Sequence, residues 1–154
     1  TFHGAGSDFG VHADIIKHIY GGDAAAAKEN KVGEVLYNRG VVNAMFATEA
    51  VRTAQAKFGK KSLTGEQVRW GLENLNITQE TLDKLGFKGM VSPLKITCED
   101  HETMGPVIIQ KWDGAKWSYA SEWLTPMRDI VRPLVEADAA AYAKENNITP
   151  RNCN

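Results

Sequence analysis

The chain has 154 residues, of which 43% are hydrophobic and 24% are charged, and its formal net charge is −1. This length and composition are typical of one globular domain and exclude a disordered chain. The nearly balanced charge provides no general attraction for nucleic acid or for an anionic membrane surface, so we expect no nucleic-acid partner. No apolar run is long enough to span a bilayer.

An amphipathic helix is predicted near the start of the chain. Val11, Ile15 and Ile19 recur every four residues, and Gly21-Gly22 follows them as a stop signal. Residues 23–33 are rich in alanine and charge, and we interpret them as a connector that has room for a helical turn. The chain opens at Thr1 without Met and without a basic-then-apolar leader, so we expect a processed or trimmed part of a longer chain with no signal peptide.

The longest predicted element is a central helix over residues 34–59. Its first half, from Tyr37 to Ala47, carries apolar side chains on almost every side, and its second half is amphipathic. A helix that is apolar all round is normally buried all round, so we expect this half to lie inside a core. Gly59 supplies the predicted end of the helix.

Two short helices and a strand are predicted next. Thr64 and Gln67 have the spacing of a capping box, in which each side chain accepts a backbone amide of the other residue. Thr78 is the predicted cap of a second short helix. After Pro93 the apolar period changes to two, which indicates a strand that begins at Leu94.

The strongest strand signal is the segment PVIIQKW, then Asp113-Gly114, then AKWSYASEW. Asp-Gly between two such runs predicts a two-residue hairpin turn, with Trp112 opposite Ala115. The ribbon then carries Trp112, Trp117 and Tyr119 on one face. Cross-strand packing is the expected role of these rings, and stacking on a sugar or a base is the alternative.

The last predicted helix covers Pro133 to Asn147. Proline is tolerated in a first helical turn, so Pro133 is the predicted helix start. The two cysteines, Cys98 and Cys153, form either one disulfide or two free thiols, and the sequence leaves both alternatives open.

Residues that could carry chemistry are few. No metal, phosphate-loop or nucleophile-elbow motif is present, so we expect no cofactor and no catalysis. Asp100, His101 and Glu102 form the one cluster suited to acid–base work or ion binding, but a solvated loop is the expected interpretation. Tyr37 begins the central helix, where free amides suit a polar ligand group, although core packing is again expected.

The order of these elements resembles the C-terminal portion of type I periplasmic solute-binding proteins that serve ABC importers of the branched-chain amino acid, amide and urea class. Four segments carry the resemblance: GAGSDFGVHADIIKHIY, VGEVLYNRGVVNAMFATEAVRTAQAKFGKKSLTGEQVRWGLENL, FKGMVSPLKIT and PVIIQKWDGAKW. The resemblance implies an α/β fold of two lobes with a ligand cleft between them, helices throughout and a β-hairpin near the C-terminus. It also implies a periplasmic protein that binds a small-molecule solute and delivers it to the membrane permease of an ABC importer.

The same resemblance divides the chain. It implies a second-lobe piece over 1–22, a connector over 23–33, a first-lobe piece over 34–97, and a crossover, hairpin and C-terminal helix over 98–154. Tyr37 matches the cleft aromatic of the family and becomes a candidate ligand contact, with Asn38 and Arg39 as candidates by adjacency only. A ligand-sensing domain of a receptor or regulator, built on the same fold, is the alternative function.

The resemblance covers only the closing part of such a protein. The preceding N-terminal half would cover the apolar first half of the central helix and the aromatic face of the hairpin. Each large side chain left in water instead costs about 1.5–3 kcal/mol. We therefore expect a chain that either associates with itself or requires its missing half.

Overall fold

The computed structural model describes residues 6, 8–102 and 105–153. The elements in these ranges are α1 (Gly10–Ile19), α2 (Ala24–Glu29), α3 (Val35–Phe58), α4 (Gly65–Glu73), β1 (Asn76–Ile77), α5 (Gln79–Lys84), β2 (Leu94–Lys95), β3 (Gln110–Trp112), β4 (Trp117–Tyr119) and α6 (Arg128–Glu145). The strands form two separate antiparallel pairs, β1 with β2 and β3 with β4. The described chain is therefore rich in helix. The two-lobed α/β arrangement stays a prediction, and its second-lobe piece begins at residues 1–5, outside the described ranges.

Helix α3 has the predicted extent, but it is not buried on all sides. Val42 and Met45 are buried, whereas Ala44 and Ala47 on the same helix are exposed. One side of α3 packs against α4, and part of the apolar surface of its first half stays exposed. The apolar residues of this half therefore exceed what the described part of the chain can bury.

Side-chain caps begin three of the helices. Thr64 Oγ1 accepts the Gln67 amide at 3.3 Å, and Gln67 Oε1 accepts the Thr64 amide at 3.0 Å, so the capping box predicted for α4 is confirmed. Thr78 caps α5 as predicted, through the amide of Thr81. The connector contains a short helix, α2, because Asp23 accepts two amides of its first turn.

The main core lies between α3, α4 and α5 and the segments next to them. Its buried members are Val42, Met45, Leu75, Ile77, Leu82, Phe87, Met90 and Val91. Helices α3 and α4 approach closely at Gly71, where an added Cβ would lie 2.2 Å from the carbonyl oxygen of Ala50. The described residues after position 98 contribute no buried side chain to this core.

The hairpin has a different register from the predicted one. Trp112 pairs with Trp117 and Gln110 with Tyr119, so four residues rather than two form the connection. Asp113 explains the wider turn, because its Oδ1 accepts the amides of Ala115 and Lys116, both at 2.8 Å. The shift is two residues, so Trp112, Trp117 and Tyr119 still share one face, as predicted.

Helix α6 begins at Arg128, five residues before its predicted start. Pro133 therefore lies inside the helix and removes the amide that would bond to the Asp129 carbonyl. The early start is anchored from outside the helix, since Arg128 and Arg132 both pair with Asp100. No residue of α6 is buried.

Candidate functional site

Tyr37, the main predicted ligand contact, lies in the first turn of α3 and is half-buried. Its side chain lines a groove between α1 and α3. Burial raises the pKa of the Tyr37 hydroxyl above its ordinary value, and the neighbouring Tyr20 hydroxyl adds to the rise. Tyr37 therefore stays neutral at physiological pH and presents a ring and a hydroxyl at one end of the groove.

The α1–α3 groove is a largely apolar cavity beside Tyr37. It has a volume of about 360 Å³ and opens to the surface. Its walls include Val11, Ile15 and Ile19 from α1 and Tyr37, Val41 and Ala44 from α3. A concave, largely apolar surface with a few polar groups at its ends is the usual form of a binding site.

Asn38 is fully buried in a polar network rather than placed in this groove. Its amide nitrogen donates to the carbonyl oxygens of Gly6 at 3.0 Å and Gly33 at 3.3 Å. Its Oδ1 lies 2.8 Å from Nε2 of His12, which is also fully buried. Because an amide oxygen can only accept, Nε2 of His12 is the donor. The network joins α1, α3 and the loop before α3, which gives Asn38 a structural role in addition to any predicted one.

The three predicted ligand residues do not face one common surface. Arg39 is exposed, Asn38 is buried and Tyr37 is half-buried. Consecutive helical residues lie about 100° apart around the axis, so three neighbours in sequence occupy three sides of the helix. A ligand role for Tyr37, Asn38 and Arg39 stays a prediction. His12 was missed, because its partner Asn38 is distant in sequence.

A second polar cluster surrounds Glu73 at the C-terminal end of α4. The Glu73 side chain is only 8% exposed and accepts hydrogen bonds from Nη1 and Nη2 of Arg151, with Nη2 at 2.7 Å from Oε2. The Arg69 guanidinium at 4.0 Å and the His101 imidazole at 3.6 Å also face the Glu73 carboxylate. Cys98 and Cys153 are joined in a disulfide, which holds the tail that carries Arg151. The sequence left open whether the two cysteines form a disulfide or remain free thiols, and it did not reveal the contacts around Glu73.

Because of the contacts around Glu73, we expect the protein to become less stable in acid. The hydrogen bonds from Arg151 lower the pKa of Glu73 below its ordinary value of 4.5, burial opposes this, and the charges of Arg151, Arg69 and His101 reinforce it. The carboxylate therefore stabilises the fold fully above about pH 4.5, and the contribution is lost as the pH falls through the lower folded-state pKa. We expect Glu73→Gln to lower the melting temperature by several degrees at pH 7, and this deficit to shrink towards pH 3.

The matched control for this prediction is Glu122→Gln, at an exposed position in the loop before α6. We expect its melting temperature to follow that of the unaltered protein across the same pH range, as followed by circular dichroism. A deficit of Glu73→Gln that stays constant between pH 7 and pH 3 would contradict the electrostatic account.

The cluster considered for acid–base work is held in ion pairs and turns. Asp100 pairs with Arg128 and Arg132, and its Oδ1 also accepts the amide of Glu102 at 3.1 Å. His101 faces Glu73 instead. Over residues 6, 8–102 and 105–153, no group of three or more His, Cys, Asp or Glu side chains is placed to hold a metal ion.

The hairpin aromatics pack on one another and against a neighbouring loop. The rings of Trp112 and Trp117 lie 5.6 Å apart, and the Tyr119 hydroxyl donates to the Gly89 carbonyl at 2.5 Å. Burial raises the pKa of Tyr119. With Phe9 and Lys88, the rings of Trp117 and Tyr119 border a cavity of about 350 Å³. All three hairpin rings remain about half-exposed, so this packing is incomplete.

Comparison with known proteins gives one informative similarity. No protein-family model matches the sequence, and none of the curated proteins compared does so. The crystal structure of an ABC transporter permease from the Pseudomonas fluorescens group is 46% identical to this chain and superimposes on it with a TM-score of 0.89. The match covers 100% of this chain and 37% of the permease chain, so the chain spans little more than a third of that protein.

This similarity corrects several predictions. The similar protein is a permease, which contradicts the identification as a solute-binding protein, its role of delivering a solute to a partner permease, and its periplasmic location. The alternative of a receptor's sensing domain gains no support. The coarser prediction of an ABC transporter is supported. The identification as a solute-binding protein rested on helix periods, helix caps and a hairpin turn. These patterns report local structure and do not determine function.

No helix in the part of the chain that the structure describes is both long enough and apolar enough to cross a membrane.

Proposed function

We propose that this chain is part of the permease component of an ABC transporter. The observation that carries the proposal is the 46% identity to an ABC transporter permease over the whole of this chain, with a TM-score of 0.89. Identity at this level over 154 residues supports the same overall role more strongly than a shared fold does.

Within that component, we propose that the chain is a helical unit that requires further parts of a longer polypeptide. The chain spans 37% of the similar permease. The exposed apolar surface of α6 also supports a need for further parts of the polypeptide. Leu134 and Tyr142 on α6 are 63% and 62% exposed, and Ile130 on the same helix is 63% exposed. A row of exposed apolar side chains of this extent marks an interaction surface.

The proposed role is transport without catalysis in this chain. The acid–base residues considered from the sequence are bound in structural contacts, Asp100 with two arginines and His101 beside Glu73.

The test is fractionation of the complete protein with an affinity tag at one end. We expect the complete protein to sediment with the membranes, to be released by detergent, and to be purified together with an ATPase activity. The control is a parallel purification from cells that express the tag alone. We expect no ATPase activity on the affinity resin in that control. Recovery in the supernatant after membranes are pelleted, with no associated ATPase activity, would overturn the permease proposal.

A further inference from the structure

The α1–α3 groove is long enough to bind one face of another helix. Its lining on α3 runs from Tyr37 to Arg52, which corresponds to about 22 Å along the helix axis. Leu85 and Phe87 contribute to the floor, and Met45 lines it from α3. An elongated apolar channel of about four helical turns fits the apolar stripe of another helix better than it fits a compact small molecule.

The margin of the groove at the end of α1 extends the apolar surface instead of closing it. Ile19, which lines the groove there, is 68% exposed. At the other end, Glu49 and Arg52 pair with each other at 2.7 Å. Because this pair neutralises itself, an occupant needs an apolar stripe and no particular net charge at that end.

From this geometry we infer that the α1–α3 groove is filled by an amphipathic helix from the same longer polypeptide, outside the 154 residues of this chain. This inference rests on the proposed function, in which the chain is one unit of a permease. The similar permease retains this fold with a TM-score of 0.89, and 63% of its chain lies outside the match. The similar permease therefore shares the backbone arrangement of α1 and α3 and has further chain outside the matched part.

A segment of the same polypeptide is favoured over a second copy for a physical reason. A tethered segment meets the groove at an effective concentration of about millimolar, so a modest apolar contact suffices to keep it bound. A second copy must instead offset the loss of translational and rotational freedom on association. The helix that fits carries apolar residues at positions i, i+3, i+4 and i+7, and it packs against Val41 and Ala44.

The test measures how fast a thiol in the groove of the complete protein is labelled. Ala44 lines the groove and is exposed in this chain, so Ala44→Cys places a small reactive group there. Ala25→Cys, at an exposed position on α2 outside the groove, is the matched control. The native Cys98–Cys153 pair is oxidised, so the added thiol is distinguishable from it, and the unaltered complete protein supplies the background.

We expect a maleimide dye to label Ala44→Cys more than about tenfold more slowly than Ala25→Cys in the folded complete protein, and equally fast in urea. Equal rates for the two thiols in the folded protein would overturn the inference. Protection of Ala44→Cys that disappears on dilution would identify a second copy as the occupant and would also overturn it. Labelling is measured on the purified protein, whether the protein is recovered from the membrane fraction or from the supernatant. The result is therefore independent of the fractionation that tests the permease proposal.

Discussion

Replacing both Cys98 and Cys153 by serine lowers the free energy of unfolding by about 4 kcal/mol, as measured by urea denaturation. The disulfide joins positions 55 residues apart, and without it the unfolded chain regains the conformational freedom of that loop. The loss extends beyond chain entropy, because Arg151 lies two residues before Cys153 and the bond holds it beside Glu73. Freeing this tail weakens the pairing of a nearly buried carboxylate.

Reductant provides the control for this prediction. We expect dithiothreitol to shift the urea midpoint of the unaltered protein to that of the double serine variant, and to leave the variant's own midpoint unchanged. An unaltered protein whose midpoint is the same with and without the reductant, after thiol titration has shown that the bond is broken, would contradict the prediction.

The second large effect is expected at the contact between α3 and α4. Gly71→Ala lowers the free energy of unfolding by about 3 kcal/mol, since the new methyl group would lie 2.2 Å from the Ala50 carbonyl oxygen and 3.0 Å from the Ala54 Cβ. The first of these atoms belongs to the backbone of α3, so no side chain can rotate to make room. The two helices must separate, which opens the core that contains Leu75 and Met45.

Gly40→Ala is the matched control, because it makes the same change inside α3 at a site with no atom within 4 Å of the added Cβ. There we expect a gain of about 0.5–1 kcal/mol, from the better helix propensity of alanine. Urea denaturation of both variants at one pH separates the steric cost from the propensity gain. Equal stabilities for the two variants would mean that α3 and α4 do not approach as closely as described.

Signals confined to a few neighbouring residues were the most predictable. The extent of α3 and the capping box at Thr64 depend on side chains within one or two helical turns of the backbone groups that they satisfy. The hairpin was predicted with the correct aromatic face and the wrong pairing. Asp-Gly indicates a turn, but the hydrogen bonds that Asp113 makes to Ala115 and Lys116 select the longer connection.

The start of α6 shows where a local rule failed. Pro133 favours a helix start, yet Arg128 and Arg132 bind Asp100, about thirty residues earlier in the chain, and these distant contacts hold an additional turn in place. The helical hydrogen bond that Pro133 cannot make is therefore offset by these ion pairs. Their partners are too far apart in the sequence for a local pattern to reveal them.

By itself, the sequence determined the extent of α3, the caps of α4 and α5 and the apolar excess of α3, because each depends on propensity and spacing along one segment. Only the tertiary structure decided which residues meet: Asn38 with His12, Glu73 with Arg151, Cys98 with Cys153, and α1 with α3 around an open groove. The three residue pairs among these are separated by 26, 78 and 55 residues, respectively. Their encounter depends on how all the packed elements are arranged together, so the candidate sites became visible only once the chain was folded.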